Sequence, residues 1–79
     1  MFNITKETVM RDSNTFKFFV LNSVKKQNKV FTVDDILDEF DKLGVVINGT
    51  VIELVENELN NLVYDGVIKK KSSHYTLIK

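Results

Sequence analysis

With 79 residues the chain has room for one domain, and without cysteine that domain has neither a disulfide framework nor a thiolate metal site. No stretch approaches the roughly 20 consecutive apolar residues of a membrane-spanning helix, which excludes that class of protein. The N-terminus has no basic start followed by an apolar block, so we expect no secretory signal, no membrane partner and a cytoplasmic protein.

The formal net charge is zero, but basic and acidic residues are segregated along the chain. Residues 1–31 hold six basic and two acidic residues, and residues 32–66 hold nine acidic residues and one basic. Residues 67–79 hold four basic residues and no acidic one. Each block favours a partner of the opposite charge, so this segregation bears on what the domain can bind.

The first predicted element is a helix that follows an N-terminal arm, residues 1–12, and opens a domain at residues 13–79. Ser13 or Asn14 can cap this helix, because either side chain accepts hydrogen bonds from unpaired N–H groups of a first turn. The helix ends in the basic run "KKQNK", which suits the negative end of a helix dipole. Its apolar stripe, at spacings of three and four, is Phe16, Phe19, Val20 and Val24.

A short extended segment, "VFT", and a second helix over residues 33–43 are predicted next. Thr32 and Asp35 match the capping-box pattern, with Asp in place of the usual Glu. Gly44 is placed to end the helix in the left-handed conformation.

A third helix is predicted over residues 50–64. Asn48-Gly49 indicates a turn before it, and Thr50 with Glu53 forms a second capping-box pattern. Gly66 ends this helix. Its predicted inner face is Ile52, Val55, Leu59, Leu62 and Val63.

The last predicted element is a β-hairpin, in which "VIKKK" pairs with "HYTLI" around Ser72-Ser73. Ile68, Tyr75 and Leu77 are expected to face inward. Ser-Ser is not a favoured two-residue turn, so we expect a loop of three to five residues.

The order helix, short strand, helix, turn, helix and hairpin resembles a winged-helix (winged helix-turn-helix) domain. The most specific part is "VENELNNLVYDGVI", residues 55–68, where an apolar residue, two Leu, an Asp-Gly pair and two apolar residues follow at the spacing typical of that superfamily. "HYTL" resembles the returning wing strand. The resemblance covers residues 13–79 and implies an α+β fold with a three-helix core and a C-terminal antiparallel wing. The alternative is a generic small α+β domain with a hairpin.

The resemblance implies a small DNA-binding regulator of transcription, whose third helix enters the major groove of double-stranded DNA while the wing touches the backbone. Asn side chains can read adenine, and Lys side chains can neutralise phosphates. The residues that it implies for DNA contact are Lys69, Lys70 and Lys71 of the wing, Asn57, Asn60 and Asn61 of the third helix, and Lys25, Lys26 and Lys29 after the first helix.

The charge of the third helix departs from that pattern, because it contains no Lys or Arg. An acidic surface repels the duplex that it would have to enter. This favours an alternative function, a protein-interaction module that uses the acidic face of the second and third helices. The residues of that face are Asp34, Asp38, Glu53 and Glu56.

Two further features have alternative interpretations. The basic wing strand can bind phosphates, or it can serve to discourage edge-to-edge aggregation. The apolar residues of the arm and first helix can form a homodimer surface, or they can pack back onto their own domain, which is small and needs buried apolar area. Those residues are Phe2, Ile4, Val9, Met10, Phe18 and Leu21.

We expect no enzyme, no metal and no cofactor. His74 is the only histidine, and the neighbouring Ser72 and Ser73 have no third group to complete a catalytic arrangement. One His without Cys does not make a zinc site, and the three glycines form no phosphate-binding loop.

Overall fold

The computed structural model describes residues 4–27 and 29–78, which form four helices followed by a two-stranded antiparallel hairpin. The α+β class and the C-terminal hairpin are therefore confirmed. The elements are α1 (Lys6–Arg11), α2 (Ser13–Lys26), α3 (Val33–Leu43), α4 (Gly49–Tyr64), β1 (Ile68–Lys71) and β2 (His74–Leu77). Within the described residues, no helix has the length and apolar content needed to cross a membrane.

Helix α1 was not expected, since it lies in the segment assigned to an arm. Thr5 and Thr8 cap it reciprocally: the Thr8 backbone N–H donates to Thr5 Oγ1 at 3.3 Å, and the Thr5 N–H donates to Thr8 Oγ1 at 3.0 Å. A helix of six residues is too short to be stable alone. Packing against α2 stabilises it instead, with Val9 fully buried beneath it.

The apolar residues considered for a homodimer surface divide into two groups. Ile4, Val9 and Leu21 belong to the chain's own core or pack against it. Met10 and Phe18 are exposed to 38% and 48%. Phe2 lies outside the described residues.

Helix α2 is capped by Asp12, and not by Ser13 or Asn14 as predicted. Asp12 Oδ1 accepts from the Asn14 backbone N–H at 3.1 Å, and Oδ2 accepts from Thr15 Oγ1 at 2.9 Å. Asp12 also ends α1, so the two helices meet at one residue. The short α1 therefore fixes where α2 begins.

Helix α3 has the predicted bounds, and Gly44 ends it in the left-handed region at φ +100°. The Thr32 backbone N–H donates to the Asp35 carboxylate at 2.9 Å, as the capping-box pattern indicated. Helix α4 begins earlier than predicted, because its cap is Asn48 and not Thr50. Asn48 Oδ1 accepts from the Val51 N–H at 3.0 Å.

The hairpin pairs Ile68 with Leu77 and Lys71 with His74, which leaves a loop of two residues. The prediction of a three- to five-residue loop was wrong, because Ser72 adopts a positive φ of 59°. A positive φ at the first central residue is the requirement of a tight type II′ turn.

The hydrophobic core lies between the helices and the inner face of the hairpin. Its fully buried large side chains come from α1, α2, α3, α4, β1 and the "VFT" segment, and Tyr75 of β2 is 3% exposed. They include Val20, Val24, Phe31, Ile36, Phe40, Val55, Leu59 and Ile68. Phe16 and Phe19 of α2 pack on the ring of Phe40 in α3, with ring centroids 5.3 and 4.8 Å apart.

Candidate functional site

The two faces of the hairpin have different chemistry. Directly paired residues of antiparallel strands place their side chains on the same face. The buried residues Ile68 and Tyr75 mark the inner face, so the pairs Lys69–Thr76 and Lys71–His74 mark the outer face. All four outer residues are exposed. Lys69 and Lys71 therefore project from the same face, roughly 7 Å apart along the strand.

Lys70 lies apart from its two neighbours, because it is on the inner face opposite Tyr75. Its Nζ is 5.8 Å from the centroid of the Tyr75 ring, within the range of a cation–π contact. The run of three lysines thus divides into two outward cations and one held over an aromatic ring.

The outer face carries an open depression of about 430 Å³, lined by Val30, Lys71, Ser72, His74 and Thr76. Val30 reaches this face because the adjacent Phe31 pairs with Tyr75 through two backbone hydrogen bonds. No acidic side chain lines the depression. A cation, an imidazole and two hydroxyls are groups that commonly contact phosphate and sugar.

The basic residues at the end of α2 differ in their availability. Lys26 Nζ lies 3.1 Å from Glu39 Oε1, and Lys42 Nζ lies 3.6 Å from Glu39 Oε2. The hydrogen bond from Lys26 lowers the pKa of Glu39 below its ordinary value. Lys26 is thereby engaged with α3. Lys25 and Lys29 are exposed, and neither forms an ion pair with any other residue that the structure describes.

Acidic side chains converge beside the hairpin turn. Asp34 of α3 and Glu56 of α4 line one depression of about 310 Å³ together with Thr32, Val33 and Ser73. Asp38 and Glu53, the other acidic residues singled out from the sequence, are exposed. A duplex laid across the turn and α4 would therefore meet carboxylates first.

The three asparagines of α4 do not gather beside the hairpin. Asn57 lines a groove with residues of α1 and α2, on a different flank of α4 from Glu56. Asn60 and Asn61 are exposed farther along the helix. No lining residue is shared between the asparagine flank and the outer face of the hairpin.

That groove between α1, α2 and α4 was not foreseen from the sequence. It has a volume of about 270 Å³ and a mainly apolar lining. The signals for it were Leu54, which lies off the predicted inner face of its helix, and Val9 and Met10, which were considered for a homodimer surface. The lining residues include Val9, Met10, Phe16 and Leu54, with Arg11, Lys17, Asn57 and Glu58 among them.

His74 lies on the exposed outer face, paired with Lys71 across the hairpin. In the described ranges, no group of three or more His, Asp or Glu residues is arranged to hold a metal ion.

Comparisons of the chain with protein families, with curated proteins and with solved structures give no match. A function for this domain therefore rests on its own side chains and their geometry.

Proposed function

We propose that the chain is a winged-helix domain, a small non-enzymatic regulator that binds double-stranded DNA by its backbone. The order of helices and hairpin supports the winged-helix assignment, as does the pairing of Phe31 with Tyr75, which adds a third extended segment to the sheet. The observation that carries the proposal is the outer face of the hairpin. It presents Lys69, Lys71 and His74, and residues 66–78 contain no acid.

Backbone contact is the mode of binding that this face suits. Neutralising phosphates with Lys releases condensed counterions, and this supplies most of the affinity for DNA that does not depend on sequence. The hydroxyls of Ser72 and Thr76 flank the cations and can donate to phosphate oxygens. Lys29, which is exposed and precedes Val30 in the chain, is our candidate for a third phosphate contact.

The orientation on DNA differs from the usual one for this superfamily. Helix α4 has no cation, and its Glu56 lines a depression together with Ser73 of the hairpin turn. We therefore place the duplex against the outer face of the hairpin, with α4 turned away from it. Asn57, Asn60 and Asn61 read no bases in this arrangement, so sequence discrimination is weak.

A titration of labelled duplex DNA tests the proposal. Fluorescence anisotropy with random-sequence duplexes of about 20 base pairs should show binding at about 20 mM salt and a steep loss as salt rises. Each neutralised phosphate contributes roughly −0.9 to the log–log slope, so two or three lysines predict a slope of about −2 to −3. Absence of binding at the lowest salt concentration would refute DNA binding.

A second candidate function is recognition of a basic protein segment by the acidic surface beside the hairpin turn. The observation that favours it is the convergence of Asp34 and Glu56, from different helices, on one concave surface. A concave surface with one sign of charge concentrates ligands of the opposite sign.

An array of Lys- and Arg-rich peptides, with uncharged peptides beside them, tests this candidate. The double variant Asp34→Lys with Glu56→Lys should lose peptides that the native chain retains. Glu7→Lys reverses one acidic charge on α1, outside this surface, and should retain them. Equal retention by the double variant would eliminate the candidate.

A further inference from the structure

The groove between α1, α2 and α4 exposes apolar surface at its rim. Met10 and Leu54 are 38% and 41% exposed, while Val9 is fully buried at its base. Exposed apolar side chains that line a concave surface favour burial against another molecule.

Charged residues of opposite sign line the two sides of the groove. Arg11 of α1 and Lys17 of α2 are on one side, and Glu58 of α4 is on the other. A two-fold rotation axis parallel to the groove sets α2 of one copy against α4 of the other, so both charge contacts become attractive.

Glu58 adds an independent observation. The residue is only 9% exposed and lines the groove, and its carboxylate oxygens are not fully closed off from solvent. They form no hydrogen bond or ion pair with any part of the chain that the structure describes. Covering this carboxylate without a cation is unfavourable. Any molecule that seals the groove must therefore bring a positive charge to Glu58.

The charges that line the groove determine which kind of molecule can bind there. A uniformly basic partner would meet Arg11 and Lys17, and a uniformly acidic partner would meet Glu58. A second copy of this chain brings both signs in the complementary order, and its net charge of zero adds no overall repulsion.

We propose that the groove is the interface of a symmetric homodimer, with Leu54 and Met10 of each copy covered by the other copy. The proposal stands independently of DNA binding, because the groove and the hairpin turn lie on different flanks of α4. The groove shares no lining residue with the outer face of the hairpin, so in the dimer each hairpin keeps its own lysines exposed.

Sedimentation equilibrium tests the interface. At about 100 µM the native chain should have twice its monomer mass of 9.1 kDa. Leu54→Asp should weaken association by about tenfold or more, because it puts a carboxylate in place of an apolar side chain that the other copy covers. Val46→Asp makes the same kind of change at a site that is 77% exposed and outside the groove, and should remain dimeric. A monomeric native chain, or unchanged association of the Leu54 variant, would overturn the proposal.

A charge exchange tests the pairing without disturbing the core. Lys17 lines the groove, and Glu53 lies one helical turn before the lining residue Asn57, so both are at its edge. Lys17→Glu and Glu53→Lys alter exposed side chains, and each alone should weaken self-association by about threefold to tenfold. Mixing the two variants should restore association, because a Lys17→Glu copy facing a Glu53→Lys copy recovers attraction on both sides of the two-fold axis. A mixture that associates no better than either variant alone would contradict this arrangement.

Discussion

Phe31 and Tyr75 join the hairpin to the helical part of the domain. Their backbones exchange two hydrogen bonds of 3.0 and 2.8 Å, and their rings stack with centroids 5.6 Å apart. Both side chains are buried, at 1% and 3% exposure. The outer face of the hairpin is therefore held in a fixed orientation by a contact between segments that are 44 residues apart.

Removing the Phe31 ring should destabilise the whole domain. Phe31→Ala is expected to lower the free energy of unfolding by about 3–5 kcal/mol, through reduced apolar burial and the cavity left behind. That is a large fraction of the roughly 5–15 kcal/mol typical of small domains. Val46→Ala, at a 77% exposed site, should change the free energy of unfolding by no more than about 0.5 kcal/mol. Urea unfolding measures both, and a Phe31→Ala effect below about 1 kcal/mol would disagree with this packing.

The Lys26–Glu39 pair should make stability depend on pH. The pKa of Glu39 is lowered from 4.5 in the folded chain, so the folded state holds the ionised carboxylate more favourably than the unfolded state does. The resulting stabilisation is present above about pH 4.5 and is lost as the pH falls through the lowered pKa. Lys26→Ala should therefore be less stable than the native chain at pH 7, with the difference shrinking toward about pH 3.

Urea unfolding at both pH values measures that difference, and a carboxyl NMR titration of Glu39 follows its pKa directly. Lys25→Ala, which removes a neighbouring lysine without an ion pair among the described residues, is the control. If the free energies of unfolding of the native chain and Lys26→Ala differ by the same amount at both pH values, the ion pair is contradicted.

Two glycines should respond to alanine in opposite directions. Gly44 has φ +100°, where a Cβ costs about 1–2 kcal/mol, so Gly44→Ala should destabilise by that amount. Gly49 begins α4 with open space around its Cα, so Gly49→Ala should stabilise by about 0.4–1 kcal/mol through reduced freedom of the unfolded chain. Thermal unfolding compares the melting temperature of each variant with that of the native chain. A shift in the same direction for both variants would contradict the backbone conformations of Gly44 and Gly49.

Much of the fold follows from local sequence patterns. The bounds of α3, its end at Gly44 and the inward face of the hairpin were predicted, because strong periodicity and a single well-placed glycine determine them. Asn48 and Thr50 are both good caps, so local preference does not decide between them. Helix α1 is too short to form on its own, so it depends on packing that the sequence pattern does not reveal.

The candidate surfaces were less accessible to sequence reasoning. In the sequence, Lys69, Lys70 and Lys71 form one basic run. The strand register is needed to show that Lys69 and Lys71 point outward while Lys70 lies over the Tyr75 ring. Asn57 and Glu56 are neighbours in sequence but line different depressions, because adjacent helical residues point about 100° apart. The groove forms where α1, α2 and α4 meet, and α1 was not predicted from the sequence.

The most direct measurement of the central claim is the salt dependence of duplex binding by Lys69→Ala with Lys71→Ala, compared with Lys70→Ala. Because the outer face carries two of these lysines, the double variant should make the log–log slope shallower by about 1.8, at roughly 0.9 for each phosphate that is no longer neutralised. Lys70→Ala should change the slope by less than about half of the value for one phosphate. An unchanged slope in the double variant, or an equal change in the Lys70 variant, would contradict DNA binding through the outer face of the hairpin.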